Sequence, residues 1–342
     1  VQQIDNQTIQ TIEDVTLHLE TCKPGQSVNV QVSRPSETAK PLVESFSVVL
    51  TKRPLSVVSP EVNDDSLLGK QDQLSMLLSL ESIGKKSAPR GELEIADLPS
   101  LRTGNWEVLE LPDTGAGPAV EFRFRLDEAD LKKIGAGGAL EIVKRYRLTP
   151  LQADQIGDNA APAYNLTMDL ELHNVGPEEQ QIAFCLDGPT GLPTEGWWYS
   201  NKIHPRFMKA AGARDVVWST PSGGRGLIGA TVIYKDTKEA EEKGQSPSIT
   251  LFSDTTPQSV DYIGVDTPYF AVVLQPEEGS SLRFEKALAI AAGDVGTKKK
   301  SKPKTTNSTF RLISEPLSLA PGDPPYTQHF TVFSGPKQPA LL

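Results

Sequence analysis

Leu140-Glu141-Ile142-Val143-Lys144-Arg145-Tyr146-Arg147-Leu148, followed by Tyr164-Asn165-Leu166-Thr167-Met168-Asp169-Leu170-Glu171-Leu172-His173-Asn174, is the pair of segments that decides the fold. Apolar and polar residues alternate with a period of two, the pattern of a strand with one buried and one wet face. Similar runs recur on both sides. Before the pair stand Leu74 to Leu80, Trp106 to Leu111 and Val120 to Leu126. After it come Gln181 to Leu186, Val216 to Thr220, Leu227 to Tyr234, Ser248 to Ser253, Tyr262 to Val265, Tyr269 to Leu274, Ser281 to Ala289, Thr309 to Ser314 and Gln328 to Phe333. Helix signals are few and short: Asp127 to Ile134, closed by Gly135, and the polar stretch Lys235 to Lys243. With 27 Gly and 27 Pro the chain is punctuated every few residues, which favours short strands. The expected class is mainly β, a large antiparallel β-supersandwich of two twisted sheets packed face to face.

Residues 1–54 read as a separate small α+β unit. Ile4-Asp5-Asn6-Gln7-Thr8-Ile9 is a strand and a turn. Thr11 is a good N-cap with Asp14 three residues on, and Val15 and Leu19 share one helix face. Lys23-Pro24-Gly25 stops the helix, and Val28-Asn29-Val30-Gln31-Val32-Ser33-Arg34 alternates as a strand. This order resembles the second half of a PDZ domain. The resemblance implies that Ile12 and Thr16 face a peptide groove, whose partner strand and carboxylate loop would lie before Val1. Residues 55–65 are the expected linker, and 66–342 the β-supersandwich.

A net charge of −10 and a pI near 5.1 argue against nucleic acid as a main partner, since phosphate binding needs a basic face. The one basic run, Lys298-Lys299-Lys300-Ser301-Lys302-Pro303-Lys304, reads as a solvated loop or as a contact with anionic lipid headgroups. Cys22 and Cys185 lie far apart and give neither a disulfide framework nor a metal spacing. No stretch reaches the ~18 apolar residues of a membrane span. Val1-Gln2-Gln3-Ile4-Asp5 looks like the middle of a strand, and Ala340-Leu341-Leu342 follows a Gly-Pro-Lys stop, so both ends read as cuts.

Signals for catalysis are thin. His18, His173, His204 and His329 are scattered with no metal-ligand pair, so no metal or cofactor is expected. Gly224-Arg225-Gly226-Leu227-Ile228-Gly229 matches a dinucleotide fingerprint, but the β-branched Ala230-Thr231-Val232-Ile233-Tyr234 that follows reads as a strand where a helix should open. A hairpin turn is expected instead. The Gly/Pro-rich stretch from Gly188 to Tyr199 places Trp197, Trp198 and Tyr199 beside Glu195. Three aromatics can cap a sheet end, contact a partner or form a sugar platform. For sugar chemistry, Glu195 with His173 or His204 is the pairing to consider.

Several segments, taken in order, resemble the extracytoplasmic (P1) domain of the membrane protein insertase YidC. They are the pair quoted first, then Tyr269-Phe270-Ala271-Val272-Val273-Leu274-Gln275-Pro276, then Leu317-Ser318-Leu319-Ala320-Pro321-Gly322, and finally Phe330-Thr331-Val332-Phe333-Ser334-Gly335-Pro336-Lys337. The resemblance implies a β-supersandwich facing the periplasm at the bacterial inner membrane, non-enzymatic and without a catalytic residue. Its partners would be Sec translocon subunits and nascent membrane proteins, and no nucleic acid. Trp197, Trp198, Tyr199, Ile12 and Thr16 are then the candidate partner contacts, with a peptide as a further ligand of a complete PDZ module. The alternative is a carbohydrate-active β-supersandwich enzyme or carbohydrate-binding module.

Overall fold

The structure is a computed structural model, and it describes residues 2–23, 25–34, 42–50, 74–89, 91–155, 161, 164–192, 214–247, 249–293, 295 and 306–337. Internal contacts divide the chain into two compact units, Val1–Ser59 and Pro60–Leu342.

In the first unit the elements are β1 (Gln3–Ile4), β2 (Gln7–Thr8), α1 (Ile12–Glu20), β3 (Ser27–Arg34) and β4 (Leu42–Val49), with sheet order β2-β1-β3-β4. Asp5 turns the chain between β1 and β2 at φ +49°, and its carboxylate accepts from the Asn29 backbone N–H at 2.7 Å. Asx chemistry of this kind makes the left-handed turn tolerable for a non-glycine residue. α1 opens with a capping box: the Thr11 hydroxyl accepts from Asp14 N–H, and the Asp14 carboxylate accepts from the Thr11 and Gln10 N–H groups. Those backbone donors hold the Asp14 carboxyl below its ordinary range. The core is small, Ile4, Ile9 and Val28, with Val15, Val30 and Leu50 against it.

The second unit runs β5 (Leu78–Ile83), β6 (Lys86–Ser87), β7 (Glu107–Leu111), β8 (Ala119–Leu126), α2 (Glu128–Lys133), β9 (Leu140–Leu148), β10 (Asn165–Asn174), β11 (Gln180–Asp187) and β12 (Asp215–Ser219). It continues with β13 (Arg225–Ile228), α3 (Ala230–Lys243), β14 (Thr250–Gln258), β15 (Tyr262–Asp266), β16 (Phe270–Pro276), β17 (Phe284–Ala291), β18 (Ser308–Ser314), β19 (Leu317–Leu319) and β20 (Tyr326–Pro336). One sheet of nine strands has the order β13-β12-β15-β16-β20-β10-β9-β8-β7. The other, of seven, is β14-β17-β18-β11-β5-β6, with β19 pairing β11 off that path. Every pairing among the described strands is antiparallel.

Alternation places the core between the sheets. On β10, Met168, Leu170 and Leu172 are buried, and on β20 so are Phe330 and Val332. They meet Phe184, Phe284, Phe310 and Leu312 of the smaller sheet in one continuous cluster. Deleting any of these buried phenyl rings would cost about 3–5 kcal/mol. The expected mainly-β supersandwich is what the chain forms.

One element differs from its sequence reading. The run Leu227 to Tyr234 is not a strand throughout, because β13 ends at Ile228 and α3 begins at Ala230. Its β-branched residues are weak helix formers, but burial outweighs propensity. Ala230, Ile233, Tyr234, Thr237 and Ala240 fall on one helical face, and all are buried. The Asp215 carboxylate accepts from the Ala230 N–H at 3.0 Å, and Gly244 closes the helix in the left-handed conformation at φ +61°.

Candidate functional site

Register in the nine-stranded sheet brings together residues that lie far apart in sequence. Glu121 of β8 stands opposite Arg145 of β9, Arg145 opposite Asp169 of β10, and Asp169 opposite His329 of β20. Because Met168 and Leu170 point to the core, this row lies on the outer face. The charges alternate along it.

The bonds are close and directional. Arg145 donates from Nη2 to Glu121 Oε2 at 2.7 Å and from Nε to the same oxygen at 3.1 Å. Its Nη1 donates to Glu171 Oε1 at 2.9 Å and lies 3.5 Å from Asp169 Oδ2. Arg123 Nη2 donates to Glu121 Oε1 at 2.6 Å. Burial alone would raise the pKa of Glu121; the hydrogen bonds from Arg145 and Arg123 outweigh it and hold the carboxyl below its ordinary range.

The row ends in an imidazole. His329 Nδ1 is 2.7 Å from Asp169 Oδ1, and the His329 side chain is 52 % exposed. In the neutral ring the nitrogen facing a carboxylate is the one that carries the proton, which leaves the lone pair on Nε2. The Glu277 N–H donates to the His329 carbonyl at 3.0 Å and fixes the strand there. Carboxylate, imidazole and a free ring nitrogen form a unit that can accept and return a proton.

A second carboxylate is clasped in the same way on the smaller sheet. Arg311 of β18 donates to both Asp187 oxygens, at 2.6 and 2.8 Å, and Arg102 Nη2 lies 2.8 Å from Asp187 Oδ2. Cys185 lies nearby and donates to Glu81 at 3.3 Å; burial and then the Glu81 charge push its thiol pKa well up, so it stays protonated.

The residues expected from sequence are spread out. Trp197, Trp198 and Tyr199 lie outside the described residues, as do Glu195, His204 and the basic run Lys298 to Lys304. Ile12 and Thr16 both fall on α1. His173 sits on β10 in register with Glu141, on the same outer face as His329. The fingerprint Gly224 to Gly229 is followed by a helix after all, which corrects the expected strand. It is still no phosphate cradle. Its residues form β13, antiparallel to β12, and a Cβ on Gly226 would come within 2.4 Å of the Trp218 ring. The helix N-terminus that would hold a phosphate is occupied by the Asp215 carboxylate.

Sequence reasoning missed Glu121, Arg145, Asp169 and His329 as a group. The signal available was the polar parity of β8, β9 and β10.

No family model matches this sequence, and no curated protein does. Solved structures are similar at low identity. The Slr1438 protein from Synechocystis sp. PCC 6803 is 13 % identical with a TM-score of 0.38, over 69 % of this chain and 67 % of that one. A putative aldose 1-epimerase from Escherichia coli K12 is 9 % identical with a TM-score of 0.34, over 68 % and 69 %. A galactose mutarotase related enzyme from Lactobacillus acidophilus is 10 % identical with a TM-score of 0.37, over 68 % and 72 %. With no family model and no curated protein to support it, the assignment to the YidC family is withdrawn. The expectation of a non-enzymatic domain rested on that resemblance and is withdrawn with it. The placement at the bacterial inner membrane rested on the same resemblance and is withdrawn too. Among the described residues no helix is long and apolar enough to cross a membrane.

Proposed function

We propose that this chain is a carbohydrate-active protein that binds a sugar against the outer face of the nine-stranded sheet, with His329 as its proton-transfer group. The observation that carries the reading is the in-register row Glu121, Arg145, Asp169 and His329, which ends in an exposed imidazole backed by a carboxylate. Mixed carboxylate and guanidinium groups offer acceptors and donors side by side, which suits a ligand whose hydroxyls are both. His329 Nε2 takes the proton of a sugar hydroxyl, and Asp169 stabilises the imidazolium that forms. When that hydroxyl is the anomeric one, the C1–O5 bond opens to the aldehyde and the imidazolium returns the proton to O5; the reverse steps on the rotated carbonyl close the ring as the other anomer. Arg145 holds Asp169 and Glu171 in place and lowers the cost of their adjacent negative charges.

The test is anomeric interconversion of a panel of aldoses, followed by polarimetry or NMR. Acceleration by the wild type, falling by about 10²–10⁴-fold in His329→Ala with unchanged thermal unfolding, is the expected result. A panel in which no sugar binds and none is interconverted faster sinks the reading.

A further inference from the structure

The row that ends in His329 has two parallel neighbours on the same face. Two residues along each strand, Glu107, Arg123, Val143 and Glu171 lie in register. Two residues further, Arg125, Glu141 and His173 do the same. Each step along a strand pair of residues is roughly 6.8 Å, so the three rows span roughly 14 Å from the His329 row to the Arg125 row.

Two open depressions prolong this surface and share Arg125. One, of about 420 Å³, is lined by Asn105, Glu107, Arg123, Arg125 and Glu141. The other, of about 570 Å³, runs from Arg125 past Lys132 of α2 to Gly138 and Gly176. Arg125 is exposed, and its guanidinium makes no hydrogen bond or ion pair with a described residue. Arg123 spends Nη2 on Glu121, and its buried Nε has no acceptor. Buried donors without acceptors are rare, and a ligand oxygen would satisfy this one. In the smaller depression two arginines face two glutamates, Glu107 and Glu141, so the floor carries no net charge. A phosphate or other strong anion gains little there, whereas a neutral polyhydroxylated chain can bond to both kinds of group.

We infer that the ligand of this face is an oligosaccharide running obliquely from His329 on β20 across β10 and β9 to Arg125 on β8 and the foot of α2, with Arg125 gripping a sugar unit two rows and three strands away from the proton-transfer couple. This rests on the carbohydrate reading above and adds the length and direction of the ligand. Arg125 acts in binding only, through hydrogen bonds from an exposed guanidinium to distal hydroxyls.

Calorimetric titration of the full chain with two homologous series, of glucose and of galactose, from monosaccharide to tetrasaccharide, tests it. Affinity should rise with chain length in at least one series. Arg125→Ala should weaken the tri- and tetrasaccharide by on the order of tenfold and leave the monosaccharide unchanged, because charge-assisted hydrogen bonds are worth roughly 1.5–3 kcal/mol each. Arg125→Lys should recover part of the loss. Equal affinity for all lengths, or a loss in Arg125→Ala that is absent or the same at every length, overturns the oligosaccharide inference and leaves a one-sugar site standing. Failure of every member of both series to bind overturns the carbohydrate reading with it.

Discussion

Two carboxylates in this molecule are each held by a pair of arginines, Glu121 on the nine-stranded sheet and Asp187 on the seven-stranded one, and both side chains are only 6 % exposed. Their surroundings differ. Arg102 and Arg311 converge on Asp187, with Arg311 largely buried and the protonated Cys185 thiol close by. Arg145 forks outward to Glu171 and Asp169, and through Asp169 to an exposed histidine. The same chemistry is closed in one place and open in the other. The closed triad serves to hold the fold together, because its carboxylate is buried between two cations and offers no proton acceptor to solvent, although Arg102 Nη1 is left without a partner among the described residues. An open row still has a ring nitrogen to offer, and that separates a structural ion cluster from a candidate site.

The largest expected effect comes from breaking the closed cluster. Asp187→Ala leaves two cations without their counter-ion and should cost about 3–5 kcal/mol, lowering the unfolding midpoint by on the order of ten degrees in calorimetry. A loss below one kcal/mol would show the triad to be solvated, and the contrast with the open row would vanish.

A smaller effect is expected from Lys144, which points from β9 toward the inside of the sandwich, opposite in parity to Arg145. Its ammonium donates to the Met76 carbonyl at 3.2 Å and lies 4.6 Å from the centre of the Trp106 ring. Burial pushes its pKa down to about 8. The unfolded chain holds the proton up to about pH 10.4, so between the two values it binds more protons than the folded one, and stability rises with pH across that window. Lys144→Met should therefore stabilise the protein by about 1–2 kcal/mol at pH 7, net of the lost ring contact, with the gain shrinking as pH approaches 10. Denaturant unfolding at the two pH values checks it. A destabilised variant at pH 7 would mean that the charge is well solvated.

The smallest stability change belongs to Asp169→Asn, where one partly exposed partner of an open network is neutralised. We expect less than about 1 kcal/mol by thermal unfolding, together with a marked loss of any sugar interconversion. A cost as large as that of Asp187→Ala would make the row a second scaffold.

Much of the architecture could be read from residue order. Leu140 to Leu148 was assigned as a strand with the ends that β9 has, and Thr11 and Asp14 form the capping box that their spacing suggests. Period-two patterning and short-range caps act within a few residues, so a linear reading captures them. Of α3 only Lys235 to Lys243 is legible as a helix; its first turns escape because Ala230 to Tyr234 is locally strand-like and becomes helical only by burying one face. The candidate site was missed for a different reason. Glu121 and Arg145 are 24 residues apart, and Asp169 and His329 are 160 apart. Strand order and register bring them together, and neither is encoded by local pattern.

The amino-acid order alone settled that this chain makes many short antiparallel strands with one wet face each, because the pleat repeats every two residues. Which polar side chains on those faces meet, and whether a clasped carboxylate is sealed or left open, was decided only when the sheets assembled. Cross-strand neighbours are set by pairing and by what packs above them, and those are properties of the whole fold.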